Sequence, residues 1–331
     1  MSGIKVVNAF SDSGDADYSN QKSRGAHRNV SYNPNAKKGK KRQPRQNDSK
    51  RGENVKTWLD TKAYCSSPFP VFKRTYRPRP ITLYHTEELE LIIENLGGFK
   101  PRFEKMEVEV VNADTLDTAK VEMDCGTAPD KLMALNMACK FKPGGGVKNG
   151  AHAQEEVIAL RSNLMLRLAE PLYDNELQRD ENILTPDIWV FKDQDKEYLL
   201  DEQQYTVNLL ACAAVRKPNT TVDADGNLIY RNPIHREIMQ QKINDIFQIA
   251  YVEGYETLVL GALGCGAYGN PPGEVTQIFL DCLERYRNCF KRVVFAVYSK
   301  KDDNYEWFKQ CVEKPYDDRT KLLKAAQKKS K

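Results

Sequence analysis

Two glutamates follow directly on a glycine-rich stretch, Lys142-Pro143-Gly144-Gly145-Gly146-Val147-Lys148-Asn149-Gly150-Ala151-His152-Ala153-Gln154-Glu155-Glu156. A glycine triplet lets the backbone adopt positive φ and approach a ligand closely. The next helix is expected to start near Gln154. Acidic residues in a first turn complement the helix dipole, and that alone accounts for a glutamate pair there. The triplet leading straight into them adds a second reading. A ligand lying on the glycines would sit beside both carboxylates. One could then act as acid and base while its neighbour positions hydroxyls.

A second loop reads Gly261-Ala262-Leu263-Gly264-Cys265-Gly266-Ala267-Tyr268-Gly269-Asn270-Pro271-Pro272. It follows a strand-like run and opens a helix-like one. Free N–H groups at such a junction suit phosphate or diphosphate. Tyr268 among these glycines is either a ring that covers a sugar or base, or a turn residue packed on the surface. Gly264, Gly266 and Gly269 also satisfy G-x-G-x-x-G, the dinucleotide fingerprint. That match is weak. The acid it needs about 20 positions on is missing, because Asp302 and Asp303 come too late. Pro271-Pro272 also stands where the fingerprint's helix should be under way.

Elements that could present these loops can be read from periodicity. Helices are expected at 86–96, with Leu89, Leu91, Ile92 and Ile93 toward the core, at 234–253, and at 274–289. In the last, Val275, Ile278, Phe279, Cys282, Leu283 and Tyr286 form one apolar stripe. Leu160, Leu164 and Leu168 indicate a helix after the first loop. Strands are expected at 107–111, 132–138, 187–191, 205–211, 257–262 and 292–297. Strands alternating with helices imply an α/β domain with a mixed, largely parallel sheet.

Bulk properties set the frame. The chain of 331 residues has 40% hydrophobic and 29% charged residues, as expected for one or two globular domains. It has no apolar run near the roughly 20 residues that span a bilayer. An apolar leader is also lacking at Met1-Ser2-Gly3-Ile4-Lys5, so an intracellular protein, in cytoplasm or nucleus, is expected. The eight cysteines include no C-x-x-C pair and the four histidines are scattered. Reduced thiols and no metal site follow. Twelve Lys/Arg against five Asp/Glu give residues 1–53 a net +7, so with +4 overall the remainder carries −3. That segment is poor in apolar side chains and is expected to be disordered. Its densest run, residues 37–45, reads as an import signal or a contact for nucleic acid or another polyanion, or as a solubilising tail. The expected division is a basic segment 1–55, a globular domain 56–315 and a basic tail 316–331, ending in a frayed helix from Lys321.

The triplet 144–146 followed by Gln154-Glu155-Glu156 resembles the signature of poly(ADP-ribose) glycohydrolases, in particular the microbial type. The flanking Leu135-Asn136-Met137-Ala138 and Arg161-Ser162-Asn163-Leu164 are similar to that branch. So are Val110-Val111-Asn112-Ala113-Asp114-Thr115-Leu116, Gly269-Asn270-Pro271-Pro272 and Val294-Phe295-Ala296-Val297. The likeness spans about residues 80–300. Tyr268 departs from it, since phenylalanine is more usual, but the ring is retained.

The resemblance implies a macrodomain-like three-layer α/β/α sandwich that binds ADP-ribose without cofactor or metal. It implies that Glu156 is the acid/base catalyst in cleaving ribose–ribose bonds and that Glu155 holds the distal ribose hydroxyls. Gly144, Gly145, Gly146 and Val147 would line the distal ribose and diphosphate, with Gln154 also at the ligand. Gly264, Cys265, Gly266, Ala267, Gly269 and Asn270 would clasp the diphosphate. Tyr268 would lie on the distal ribose through its ring, with its hydroxyl dispensable. The substrate would be poly(ADP-ribose) or ADP-ribosylated protein. A binding module with the same pocket and no chemistry is the nearest rival, and the intact carboxylate pair argues against it.

Overall fold

The computed structural model describes residues 5–7, 46–67, 76–168, 177–224, 226–300 and 304–312. Ten strands are present among them: β1 (Lys5–Val7), β2 (Ile81–His85), β3 (Glu107–Val111), β4 (Leu132–Met137), β5 (Glu181–Val190), β6 (Tyr205–Cys212), β7 (Thr220–Val222), β8 (Leu228–Tyr230), β9 (Thr257–Leu260) and β10 (Arg292–Ala296). The α-helices are α1 (Gln46–Ser66), α2 (Thr86–Asn95), α3 (Thr115–Asp124), α4 (Gln154–Arg161), α5 (Leu164–Arg167), α6 (Pro233–Val252), α7 (Pro272–Arg285) and α8 (Asn304–Val312).

Eight strands form one sheet in the order β1-β2-β5-β6-β4-β9-β10-β3, and β7-β8 is a separate hairpin. From β6 to β3 every neighbouring pair is parallel, while β5, β2 and β1 join antiparallel. The mixed, largely parallel sheet is therefore as expected. Side chains alternate across it with a period of two. Met133, Leu135, Leu258, Leu260, Val293 and Phe295 face one core, which α2, α6, α7 and α8 cover. Leu132, Ala134, Val259 and Ala296 face the other, beneath α1, α3, α4 and α5. Three layers result. The loops after β6, β4 and β9 emerge side by side at the carboxyl ends of adjacent parallel strands, where open α/β sheets take their ligands.

Helix starts follow the local sequence. Asp114 Oδ1 accepts the N–H groups of Leu116 at 2.8 Å and Asp117 at 3.4 Å, capping α3. Pro233 and Pro272 open α6 and α7, where a missing N–H costs nothing. The α7 stripe is buried as expected from Val275 to Leu283, with Tyr286 just beyond the helix.

Several expectations are corrected. Leu160, Leu164 and Leu168 are all buried but do not share one helix. Ser162 is extended and bridges Val190, and Asn163 exchanges hydrogen bonds with Trp189, so the chain leaves α4 to satisfy the edge of β5. Leu91 faces solvent, as α2 turns only Leu89 and Ile93 fully inward. Strand β5 begins at Glu181, well before 187. Pro186 and a left-handed Asp187 mark a register shift that hides its continuity in the sequence.

The boundary expected at 55/56 falls inside α1. That helix is anchored by long-range contacts: Trp58 is buried in the second core, and buried Thr61 Oγ1 donates to Leu160 O at 2.7 Å. The basic run 37–45 and the tail 316–331, with its expected helix from Lys321, lie outside the described residues. Among the described residues, no helix is long and apolar enough to cross a membrane.

Candidate active site

The first loop leaves β4 at Met137 and folds back over the start of α4. Gly144 and Gly145 have φ +66° and +54°. A side chain on Gly144 would run into Met165, and one on Gly145 into the Glu156 carboxylate. Only glycine lets the backbone lie this close to the carboxylates. A short turn, Val147–Asn149, then ends at Gly150 with φ +73°, pressed against the main chain of Arg51 in α1.

Both carboxylates are buried, Glu155 at 3% and Glu156 at 8% exposure. Glu155 accepts Gly144 N–H at 3.0 Å and Cys139 N–H at 2.7 Å. Glu156 accepts Gly146 N–H at 2.8 Å through one oxygen and Ala153 N–H at 2.7 Å through the other. The Ala153 bond is the ordinary reach of an N3 glutamate to its N-cap. The Gly146 bond is not, since it ties the carboxylate to the glycine loop. Burial pushes the Glu155 carboxyl up to about 7; the N–H groups of Cys139 and Gly144 pull it down, and the charge of Glu156 pushes it further up.

The N–H groups of the first loop are thus committed inside the protein. Gly144 and Gly146 hold carboxylates, while Gly145 and Val147 donate to Lys142 O and Gly144 O. In residues 144–147, expected to line the ligand, the amides of Gly144 and Gly146 organise the acids. The Val147 side chain is buried in the second core.

The second loop differs. Among the described residues, the N–H groups of Gly266, Ala267 and Tyr268 have no hydrogen-bond acceptor, and Gly266 and Ala267 are exposed. A side chain on Gly266 would meet open space. Loose N–H groups beside the start of α7 are what an anion needs. Asn270 frames this loop from within. It is 1% exposed; its Nδ2 donates to Val215 O at 2.8 Å and Gly264 O at 3.1 Å, and its Oδ1 accepts Tyr230 Oη at 2.8 Å. Cys265 is half-buried, its thiol directed to Leu263 O.

Tyr268 joins the two loops. Its hydroxyl accepts Lys140 N–H at 3.2 Å and its carbonyl accepts Lys217 N–H at 2.9 Å. Burial pushes the phenol up to about 12, which keeps it neutral.

Gln154 is likewise turned inward. It accepts Met137 N–H at 2.9 Å and donates to Leu135 O at 2.6 Å and Thr115 Oγ1 at 3.1 Å. Gln154 and Asn270, expected at the ligand, both spend hydrogen bonds on groups of the protein itself. Their carboxamides saturate backbone groups that the sharp loop turns leave unpaired.

Sequence reasoning passed over three contributors. Asn136 is fully buried beside Glu155, and its carboxamide favours the ionised form of that acid. A polar residue inside the apolar run 132–138 was the available signal. Arg161, 2% exposed, pairs with Asp114 at 2.7 Å and Asp117 at 2.6 Å, locking α4 to α3. Asn54 of α1 donates to Gly150 O at 3.2 Å and closes the first loop from outside. Nothing local to Asn54 announces that contact.

The model of the microbial-type PARG catalytic domain matches residues 18–193. The crystal structure of poly(ADP-ribose) glycohydrolase from Thermomonospora curvata is 26% identical, with TM-score 0.63, over 78% of this chain and 99% of that one. The same enzyme bound to the inhibitor ADP-HPD gives 26%, TM-score 0.62 and the same shares. Poly(ADP-ribose) glycohydrolase from Deinococcus radiodurans, in complex with ADP-ribose, is 26% identical with TM-score 0.58, over 70% of this chain and 94% of that one. No curated protein matches the chain. With its two signature loops tied together through Tyr268 and Lys140 and more than half its length under the family model, the chain belongs to the microbial-type poly(ADP-ribose) glycohydrolase family.

Proposed function

We infer that the protein is a hydrolase that cleaves the ribose–ribose O-glycosidic bonds of poly(ADP-ribose) and releases ADP-ribose. The observation that carries this reading is the pair Glu155 and Glu156, buried at the cleft and gripped by the glycine loop, beside a second loop with unused N–H groups. A pure binding module needs the second loop but not an elaborate cradle for two acids.

In this reading the diphosphate lies on the N–H groups of Gly266, Ala267 and Tyr268, with the Tyr268 ring against the distal ribose. Glu155 holds ribose hydroxyls. With its carboxyl near 7, it carries less than full charge at neutral pH, which eases the approach of an anionic ligand. Glu156 protonates the leaving ribose oxygen as the glycosidic bond breaks through an oxocarbenium-like state. As a carboxylate it then takes a proton from the attacking water.

The catalytic domain in this reading takes in the whole of α1 and ends near 315, so the boundary expected at 55/56 moves ahead of Gln46; a basic segment precedes it and another, 316–331, follows. Residues 37–45 are positioned in sequence to contact a polyanion. The eight cysteines, with no C-x-x-C pair among them, fit a reducing, intracellular setting.

The test is incubation of the full chain with poly(ADP-ribose) and assay of free ADP-ribose, with Glu156→Gln as control. Glu156→Gln is expected to lower turnover by about 10²–10⁴-fold while ADP-ribose still binds. Turnover above about a tenth of wild type would remove Glu156 from the catalytic role.

A further inference from the structure

Tyr268 binds Lys140 through its hydroxyl and Lys217 through its carbonyl. The residues next to those partners, Phe141 and Arg216, meet beyond it. The Arg216 guanidinium carbon lies 5.4 Å from the centre of the Phe141 ring, and Lys140 Nζ lies 6.0 Å from the same point. Phe141 is 48% exposed and belongs to neither core.

An exposed phenyl ring on a loose tip would carry little meaning. This one is fixed. Before it, Cys139 N–H binds Glu155 and Lys140 O accepts Leu177 N–H at 2.9 Å. After it, Gly144 N–H binds the other oxygen of Glu155. The ring is thus carried by the segment that holds Glu155, one residue from the Lys140 N–H that ties in Tyr268. Arg216 is exposed beside it, and so is Lys142. An exposed ring on a tethered segment, with a guanidinium and an ammonium beside it, is the combination that stacks a base and neutralises phosphate along a single strand.

We propose that Phe141, Arg216 and Lys140 form a second subsite on the rim, which takes the adenine and diphosphate of the neighbouring ADP-ribose unit of a chain. This rests on the reading of the cleft as the site of poly(ADP-ribose) hydrolysis. The cleft holds the unit to be released, and the rim holds the next one. Chains of two or more units then bind more tightly than free ADP-ribose, and the product leaves once it has lost its hold on the rim.

The experiment uses the full chain in two backgrounds. Carrying Glu156→Gln, it is titrated with ADP-ribose and with a purified oligomer of ADP-ribose; in the wild-type background, KM and kcat are measured on chains. Phe141→Ala is expected to weaken the oligomer about tenfold, the scale of one lost base stack. ADP-ribose affinity should stay within about twofold, because the ring lies outside the cleft. KM on chains should rise with little change in kcat, and Phe141→Trp should restore oligomer binding. Arg216→Ala should weaken the oligomer and flatten its salt dependence.

Equal losses for monomer and oligomer, or no loss for either, would overturn the proposal and leave Phe141 as a brace for the loop. Displacement of the oligomer by an unrelated single-stranded RNA at equal concentration would also overturn it. If the wild type releases no ADP-ribose, the hydrolase reading fails, and the oligomer-to-monomer ratio still decides the rim.

Discussion

The hydroxyl of Tyr268 accepts the main-chain N–H of Lys140 at 3.2 Å, so the loop offered to the diphosphate is tied to the loop that cradles the acids. The ring alone was expected to matter, and the contact changes that. Tyr268→Phe removes an acceptor from a half-buried N–H and should cost about 1 kcal/mol. A lower melting temperature and a few-fold rise in KM are expected. Tyr268→Ala should damage ligand binding more, because the ring is lost as well. Thermal melts with ADP-ribose titration check both; a Phe variant indistinguishable from wild type would show that this tie does nothing.

The fate of the N-terminal segment turns on α1. Removing residues 1–45 leaves that helix whole and deletes only the three-residue edge strand β1 from the described part. A shift in melting temperature of no more than about 2–4 °C is expected, on the order of 1 kcal/mol for a chain of this size. Removing 1–55 also takes Arg51 and Asn54, and with them the backing of Gly150. The Gly146 N–H that holds Glu156 belongs to the same loop. The longer deletion should therefore lose turnover out of proportion to its melting temperature, and Asn54→Ala should reproduce part of that loss. Identical turnover in the two truncations would show that α1 supports the fold alone.

What could be read from sequence was the framework. β3 announces itself by alternating Glu and Val, β4 as an apolar run between Pro129 and the glycine loop, and the α7 stripe keeps its helical period. The two glycine loops and the glutamate pair were legible because close backbone approach demands glycine and chemistry demands carboxylates. Three-dimensional partners were not. The hydrogen bonds that Gln154 and Asn270 make with main-chain groups stayed hidden, because those groups lie far off in sequence or across a turn. Residues 46–55 are polar enough to pass for tail. Their helix is held through Asn54, with Trp58 and Thr61 further along, by contacts that no local pattern encodes. The break at Ser162 is set by the edge of β5, whose own continuity is hidden by Pro186.

Glu155 makes the protein's stability depend on pH in a stated direction. Its folded-state value, raised by burial from 4.5 to about 7, means that the native state holds this proton more tightly than the unfolded chain. The group's contribution is fully present below about 4.5 and is lost as pH rises toward 7. The loss is at most about 3 kcal/mol, at 1.36 kcal/mol for each pKa unit. Glu155→Gln does not titrate. Whatever its absolute stability, its melting temperature relative to wild type should climb between pH 4.5 and 7 and level off above. A difference that stays flat across that window would show that Glu155 titrates in its ordinary range.

Gly266 gives the sharpest test of the anion site, because the fold leaves room for a side chain there. An added Cβ meets nothing within 4 Å and the residue is exposed, so Gly266→Glu should fold with a melting temperature close to wild type. The same open space is where the N–H groups of Gly266, Ala267 and Tyr268 point no bond into the protein. A carboxylate placed there competes for those donors and repels a diphosphate. Binding of ADP-ribose should fall by about tenfold or more, as expected when a like charge is set against the diphosphate. Gly266→Ala separates the two causes. It adds bulk without charge and should weaken binding less. Gly264→Ala is the structural contrast. At φ +76° its Cβ would strike Asn270 and Ala214, so it should unfold the loop and lower the melting temperature. Calorimetric titration of all three variants beside thermal melts reads each effect on its own. Undiminished ADP-ribose binding by a folded Gly266→Glu protein would place the diphosphate elsewhere in the cleft.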